Sequence, residues 1–293
     1  MLASQRGYQG AFTLFRDLFV KVIRNVDPST PGLHCPGSWT VRKETDGSTS
    51  VVTLGQKIIP EITTEYKLRS KVVRPEDISL NGSEGYVKFE TQPGGRHYGI
   101  RGTVQWSGSN DVGNMPVAGF RVLASDEEWT DIYFDPSNET LVVDRSFSSL
   151  IPSCAFSSAS EPRQQLEDLT EFCSLDGKDT EFGKLRLWSI RQGNSSAMQA
   201  LNLTIIVDNS VVEVYGNDVT VITTRAYPWL SASKGAGFFT RSSSPTVNTQ
   251  VTFSGVEVWD GLVNAWPLRP DDTRKPLLWD GPTAGIWGLW DGF

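Results

Sequence analysis

The stretch Leu201–Arg225, which reads LNLTIIVDNSVVEVYGNDVTVITTR, alternates apolar runs with turn-forming residues. Leu201–Asp208 and Val211–Tyr215 are rich in Val, Ile and Thr, which favour strands, and Asp-Asn-Ser joins them. A second turn, Gly-Asn-Asp at 216–218, leads into Val219–Arg225. Asn, Asp and Gly adopt the left-handed conformations that tight hairpins require. The stretch therefore predicts a three-stranded antiparallel meander.

A second hairpin and many further short strands surround this meander. Asp131–Asp144 places strands on both sides of Asp135-Pro136-Ser137-Asn138, a turn-forming sequence. Further predicted strands are Gly10–Val26 (two short strands), Thr49–Leu54, Ile62–Ser70, Tyr86–Thr91, Tyr98–Trp106, Ala118–Ala124, Lys184–Arg191, Gly237–Arg241 and Gln250–Trp259. The helix candidate is Glu161–Phe172, with a long loop as the alternative. This spacing predicts an all-β fold, a two-sheet antiparallel β-sandwich of the concanavalin or jelly-roll type.

Composition narrows the classes of partner and site. The chain of 293 residues carries 27 basic and 34 acidic side chains, a net charge of −7, which disfavours nucleic acid and anionic membranes as partners. No stretch reaches the roughly 18 uninterrupted apolar residues of a membrane-spanning helix. His34 and His97 are isolated and are interpreted as surface or hydrogen-bonded structural residues. No metal site and no cofactor is predicted.

Carboxylates are the remaining candidates for catalysis, because a glycosidase uses two of them, one as acid and one as nucleophile or base. The candidates in strand contexts are Asp131, Asp135, Asp144, Asp208 and Glu213. Glu213 shares a strand face with Val211 and Tyr215, an unusual place for a carboxylate. It is either an acid with a tuned pKa or a buried residue paired with an arginine such as Arg145 or Arg225. The second interpretation is favoured, since nothing else resembling a site surrounds it.

The meander also carries a family motif. Its sequence from Leu203 to Asn217 is similar to the signature of the C-terminal β-sandwich of glycoside hydrolase family 32, which comprises invertases, inulinases, levanases and related fructosyl enzymes. The motif residues are Asp208, Ser210 and Glu213 in the meander, Arg225 and Tyr227 in the Arg-x-Tyr-Pro that follows, and Asp144, Arg145 and Ser146 at the end of the hairpin. The resemblance implies structural roles for these residues.

The resemblance extends upstream and implies a domain organisation. Gly7–Leu18 resembles the last blade of the catalytic propeller that precedes the sandwich in this family. Residues 1–48 are expected to be a remnant of that blade with its linker, residues 49–260 the C-terminal β-sandwich domain, and residues 261–293 a tail rich in Trp, Gly and Pro. The family's catalytic strings Asn-Asp-Pro-Asn-Gly, Arg-Asp-Pro and Glu-Cys do not occur in this sequence. No catalytic residue is therefore assigned.

The resemblance implies that the chain is a non-catalytic portion of an enzyme that hydrolyses β-fructosides such as sucrose or fructans. In the full-length parent the partner of this chain would be the catalytic propeller, and a fructoside would be its carbohydrate ligand. A truncated gene model and a degenerate paralogue are both open. The resemblance also leaves open whether the parent prefers sucrose or fructan, and whether it hydrolyses or transfers fructose.

Two alternative functions stay open. Trp279, Trp287 and Trp290 in the tail are candidates for stacking on sugar rings, which would make the chain a free-standing carbohydrate-binding, lectin-like module. A glycosidase whose acid and base come from Asp131, Asp135 or Glu213 is the weaker alternative.

Several features predict a secreted parent, although the N-terminal segment is not a signal peptide. Charged residues such as Arg16 and Asp17 interrupt its apolar run. Acceptors for N-glycosylation occur at Asn81, Asn138, Asn194 and Asn202. Cys154 and Cys173 are candidates for a disulfide, with Cys35 left over; three reduced thiols are the alternative.

Overall fold

Antiparallel β-strands make up almost all of the regular structure in the computed structural model of this chain, which describes residues 13–107, 115–151, 179–193, 195–242 and 249–262. The strands are β1 (Arg16–Ile23), β2 (Trp39–Lys43), β3 (Thr49–Ile58), β4 (Lys71–Val73), β5 (Ile78–Asn81), β6 (Tyr86–Lys88), β7 (His97–Ser107), β8 (Val117–Ala124), β9 (Thr130–Asp135), β10 (Thr140–Asp144), β11 (Glu181–Lys184), β12 (Ser189–Gln192), β13 (Ser195–Met198), β14 (Leu201–Asp208), β15 (Val211–Gly216), β16 (Thr220–Arg225), β17 (Gly235–Arg241) and β18 (Gln250–Asp260). The helix of these residues, α1, spans Pro60–Arg69.

Two large sheets form the main body. One has six strands in the order β11-β10-β9-β8-β17-β6. The other has seven, in the order β16-β15-β14-β7-β18-β4, with β5 also paired to β18. The pairings within both sheets are antiparallel. The predicted all-β sandwich is confirmed.

The main core lies between these two sheets and is filled by alternate side chains of their strands. Phe120 and Phe238 come from the six-stranded sheet, and Phe253 comes from the seven-stranded sheet. The ring centroid of Phe253 lies 5.7 Å from that of Phe120 and 5.0 Å from that of Phe238. Burial of each such ring stabilises the fold by about 1.5–3 kcal/mol. Residues that alternate with the core project from two outer faces on opposite sides of the sandwich.

Both predicted hairpins are confirmed. β9 and β10 pair in register across the predicted turn, where Asp135 Oδ1 accepts the backbone N–H of Ser137 at 2.9 Å. The meander β14-β15-β16 runs in chain order along the edge of its sheet. Asn217 and Asp218 have φ angles of 47° and 48°, the two left-handed conformations of a type I′ turn.

The prediction of a strand over Ile62–Ser70 is wrong, because α1 occupies this stretch. Pro60 begins the helix, where its fixed φ is favourable and its missing N–H costs nothing. Glu61 in the first turn complements the helix dipole. Tyr66 is the buried residue of the helix, so no apolar periodicity distinguishes it from a strand. The helix predicted over Glu161–Phe172 lies outside the described residues.

A third sheet, of three strands in the order β1-β3-β2, is formed by the N-terminal part of the described chain. Where two short strands were predicted over Gly10–Val26, the described part of that stretch forms one strand, Arg16–Ile23. β3 covers Thr49–Ile58 and pairs with both β1 and β2. The small sheet therefore extends beyond the boundary expected at residue 49.

A smaller core packs this sheet against the β12–β13 hairpin. Ile23 and Val51 of the sheet are buried together with Trp188. The Trp39 ring meets Trp188 edge to face, with centroids 5.2 Å apart. The small sheet thus has an apolar face of its own, which is covered by the segment that follows β11.

Candidate functional site

Glu213 lies on the outer face of the seven-stranded sheet, because its strand neighbours Val212 and Val214 belong to the core. The residue is only 2% exposed. Its Oε2 accepts the Tyr215 hydroxyl at 2.5 Å, and its Oε1 accepts the backbone N–H of Leu14 at 2.8 Å. Burial raises the pKa of Tyr215, and the bond to the Glu213 carboxylate raises it further. Both oxygens of this carboxylate are therefore engaged within the fold.

Three further hydrogen bonds fix the small sheet to the meander beside this carboxylate. Lys21 of β1 donates to the backbone carbonyl of Asn217 at 2.5 Å. On β3, the backbone N–H of Gln56 donates to the Asp218 carbonyl at 2.8 Å, and its side-chain amide donates to the Val219 carbonyl at 2.9 Å. The turn of the family motif is therefore the point at which the small sheet is attached.

Arg145 joins the two large sheets at one end of the sandwich. Its guanidinium donates to the Arg225 carbonyl at 2.9 Å, at the end of β16 in the seven-stranded sheet. It also donates to the Glu181 carboxylate at 2.8 Å, at the start of β11 in the six-stranded sheet. Where the sequence predicted an arginine as the partner of Glu213, the structure gives that carboxylate a hydroxyl and a backbone N–H.

Two motif residues stabilise the end of the meander. Ser210 is buried, and its carbonyl accepts the backbone N–H of Ala226 at 2.8 Å. Arg225 donates to the Tyr227 hydroxyl at 2.7 Å, and Tyr227 is buried. The bond between Ala226 and Ser210 continues the strand pairing of β15 and β16 past its last position, and the bond between Arg225 and Tyr227 holds the segment that follows.

The two motif aspartates hold polar contacts at strand ends. Asp208 Oδ1 lies 2.7 Å from His97 Nδ1 on the adjacent strand, so this histidine is hydrogen-bonded and largely exposed, as the sequence predicted. Asp144 Oδ1 accepts the backbone N–H of Ser146 at 3.0 Å. Each aspartate thus serves a local structural contact.

The other candidate acids lie on the opposite side of the sandwich. Asp131 projects from the outer face of the six-stranded sheet, where Arg121 donates two hydrogen bonds to it at 2.7 and 2.9 Å. Burial raises the pKa of the Asp131 carboxyl, and Arg121 opposes that rise. Packed sheets are about 10 Å apart, so carboxylates on opposite outer faces are farther apart than a glycosidase pair requires. The structure therefore does not bring Asp131 or Asp135 together with Glu213, as the alternative glycosidase would need.

The predicted glycosylation sites and cysteines lie partly within the described residues. Asn81, Asn138 and Asn202 are exposed, as glycosylation acceptors must be, and Cys35 is an exposed free thiol. The predicted sites outside the described residues are Cys154, Cys173, Asn194, Trp279, Trp287 and Trp290.

In the described ranges, no three His, Cys, Asp or Glu side chains come close enough to hold a metal ion. No helix among the described residues is long and apolar enough to span a membrane.

One important carboxylate was not predicted from the sequence. Glu128 is fully buried and accepts the backbone N–H groups of Leu150, Trp229 and Leu230 at 2.7–2.9 Å, together with the Ser233 hydroxyl at 2.6 Å. It ties three loops together at one end of the sandwich. The preceding acidic residues, Asp126 and Glu127, are exposed, and no local pattern distinguishes Glu128 from them.

Comparison with known proteins gives consistent matches. Residues 63–260 match the family model for the C-terminal region of glycosyl hydrolases family 32. The chain is similar to two A. japonicus structures, CB05 and a wild-type fructosyltransferase, with 31% identity, TM-scores of 0.73 and 0.72, and coverage of 91% of this chain and 38% of each of those chains. It is similar to an Aspergillus kawachii beta-fructofuranosidase complexed with glycerol, with 30% identity, a TM-score of 0.71, and coverage of 88% of this chain and 38% of that chain. The chain thus spans 38% of the length of these relatives. No curated protein sequence matches it.

Proposed function

Because the chain belongs to glycoside hydrolase family 32, we propose that it is the C-terminal sandwich portion of a fructosyl enzyme, with a remnant of the propeller, and is not catalytic by itself. The parent would act on β-fructosides such as sucrose or fructans. In that parent, the sandwich supports the propeller, and the motif residues at Glu213 hold the connection between the two.

The engagement of Glu213 carries this proposal. A catalytic acid or nucleophile needs a carboxylate oxygen that faces the substrate. Both oxygens of Glu213 are occupied, one by the Tyr215 hydroxyl and one by the Leu14 backbone N–H. The residue is buried, and it holds the segment that leads into the small sheet. This arrangement supports a structural role.

The small sheet presents an apolar surface that supports a propeller as its partner. Leu18, Val20 and Leu54 are 67%, 72% and 59% exposed and lie on the face opposite the smaller core. An exposed apolar sheet face of this kind is typical of an interaction surface. In a propeller the neighbouring blade would cover this face, and β1, at the edge of its sheet, would border the rest of that domain.

Hydrolysis assays with the purified 293-residue chain test the proposal. We expect no release of fructose or glucose from sucrose, inulin or levan. Release that is lost in Glu213→Gln but retained in the exposed control Glu61→Gln would contradict it. Sequencing upstream of Met1 tests the parentage separately: an encoded Asn-Asp-Pro-Asn-Gly string preceded by a signal peptide would support a truncated form of a secreted enzyme.

One observation favours carbohydrate binding as a second candidate function. Phe147 and Trp229 are 55% and 48% exposed, on two of the loops that Glu128 joins. Phe147 stacks on Trp129 with ring centroids 4.7 Å apart, which presents a flat aromatic surface. Calorimetry with fructans and common glucans tests this function. Millimolar or tighter binding that is lost in Trp229→Ala would support it, and the absence of any heat of binding would exclude it.

A further inference from the structure

An open cavity of about 200 Å³ lies where the small sheet, the start of α1 and the outer face of the seven-stranded sheet meet. Its lining residues are Lys57, Ile58, Pro60, Thr63, Arg101, Thr204, Tyr215, Asp218 and Trp259. A water molecule takes about 30 Å³ of liquid volume, so the cavity has room for a handful of waters or one small ligand. Neither the family motif nor the proposed function assigns a role to it.

The two cations that line this cavity have no ion-pair partner among the described residues. Arg101 lies directly opposite Glu257 on the neighbouring strand, but that carboxylate is already held by Lys67 at 2.7 Å and by Arg74 at 2.9 Å. The Lys57 ammonium lies over the face of the Phe19 ring, 5.5 Å from its centroid. Two cations without an ion-pair partner among the described residues therefore line the cavity, in a chain whose net charge is −7.

The remaining polar groups of the lining do not neutralise this charge. Asp218, the acidic residue of the lining, pairs with Lys21 at 3.4 Å. The Tyr215 hydroxyl donates a hydrogen bond to the Glu213 carboxylate, and the Thr63 hydroxyl donates one to the Pro60 carbonyl. The Thr204 hydroxyl projects from the strand beside Arg101 and supplies a further donor. The cavity thus offers a surplus of donors and positive charge.

We propose that this cavity is a binding site for a small oxyanion, a phosphate or carboxylate group. The planar guanidinium of Arg101 would bind two oxygens of such a group, and the Lys57 ammonium would act as a point charge beside it. A metal cation is disfavoured by the same two charges. The proposal does not depend on the proposed function, because it rests on the charges of the cavity alone.

Calorimetric titration of the full chain with inorganic phosphate, at constant ionic strength set with sodium chloride, tests this site. We expect binding in the millimolar range. Removing one charge-assisted contact should weaken it about tenfold, so Arg101→Gln and Lys57→Gln should each do so and the double variant should abolish detectable binding. The matched control Arg42→Gln/Lys43→Gln, which removes the same net charge from exposed positions on β2, should bind phosphate like the wild type.

Further titrants distinguish the sources of the oxyanion. Citrate that binds more tightly than phosphate would identify a carboxylate ligand, and fructose 6-phosphate that binds more tightly would identify a phosphate ester. The proposal is overturned if phosphate gives no heat beyond dilution, if the double variant and the control lose binding equally, or if uncharged fructose binds as tightly as phosphate and does so without Arg101. Thermal unfolding without ligand shows whether the Arg101→Gln variant folds. If that variant does not fold, the phosphate titration of the Lys57→Gln variant tests the site.

Discussion

The carboxylate of Glu213 accepts the backbone N–H of Leu14 at 2.8 Å, although the two residues lie 199 positions apart in the chain. The contact joins the strand that carries the family motif to the segment that leads into the small sheet. Because the carboxylate is buried, a donor left without it would be unsatisfied away from water. One side chain therefore couples the stability of the meander to the placement of the N-terminal sheet.

Glu213→Gln should destabilise the chain by about 1–3 kcal/mol, because a neutral amide replaces the charged group to which the Tyr215 hydroxyl and the Leu14 N–H both donate, and only one of its two polar atoms can accept. Urea unfolding at neutral pH measures this loss. Tyr215→Phe should lower the free energy of unfolding by less in the Glu213→Gln variant than in the wild type, since the two side chains share one hydrogen bond. The exposed control Glu61→Gln should change stability by about 0.5 kcal/mol at most. A fully stable Glu213→Gln variant would refute the anchoring role.

Glu128→Ala should cost about 3 kcal/mol or more, because it leaves three backbone N–H groups and one hydroxyl without their buried acceptor. The neighbouring Glu127 is exposed and provides a matched control, for which Glu127→Ala should stay within about 0.5 kcal/mol of the wild type. Thermal and urea unfolding measure both variants. Equal losses in the two would show that the loops do not depend on the buried carboxylate.

The Asp27 carboxylate should make a contribution to the free energy of unfolding that is lost in acid. A hydrogen bond from the Ser196 hydroxyl and another from the Ser29 backbone N–H lower the pKa of Asp27 to about 2. A lowered carboxyl pKa stabilises the fold above the unfolded value of about 3.9, and this stability is lost as the pH falls towards 2. The difference in urea midpoint between the wild type and Asp27→Asn should therefore be constant above about pH 5 and shrink below it. A difference that does not change with pH would contradict this assignment.

The exposed face of the small sheet should make the isolated chain self-associate. Val20 and Leu54 lie opposite each other on β1 and β3, and both are largely exposed. Val20→Glu/Leu54→Lys replaces them by a cross-strand ion pair that such positions tolerate, and it should shift the chain towards monomer in sedimentation velocity. Leu68→Lys, which removes an equally exposed apolar residue from α1, should leave association unchanged. A monomeric wild type would argue against an interaction surface here.

Local patterns were sufficient wherever neighbouring residues alone decide the structure. The hairpin turn at Asp135 and the type I′ turn at Asn217 and Asp218 follow from residues that favour those conformations in any context. The two-residue period put Glu213 on one strand face with Val211 and Tyr215, and the structure shows that this is the outer face, with Val212 and Val214 in the core. Local patterns also account for the wrong prediction of a strand over Ile62–Ser70. The β-branched residues of this stretch favour a strand, whereas Pro60 is a helix-start signal and the structure forms a helix.

The sequence by itself determined the sandwich class, the meander and its motif, because strand periodicity and turn chemistry act over a few residues. Only the tertiary structure decided what the carboxylates do. It placed Asp131 and Glu213 on opposite outer faces, gave Glu213 a partner 199 residues away, and buried Glu128 while exposing Glu127. These outcomes depend on which strands pair and which loops meet, contacts between distant positions that no local pattern encodes.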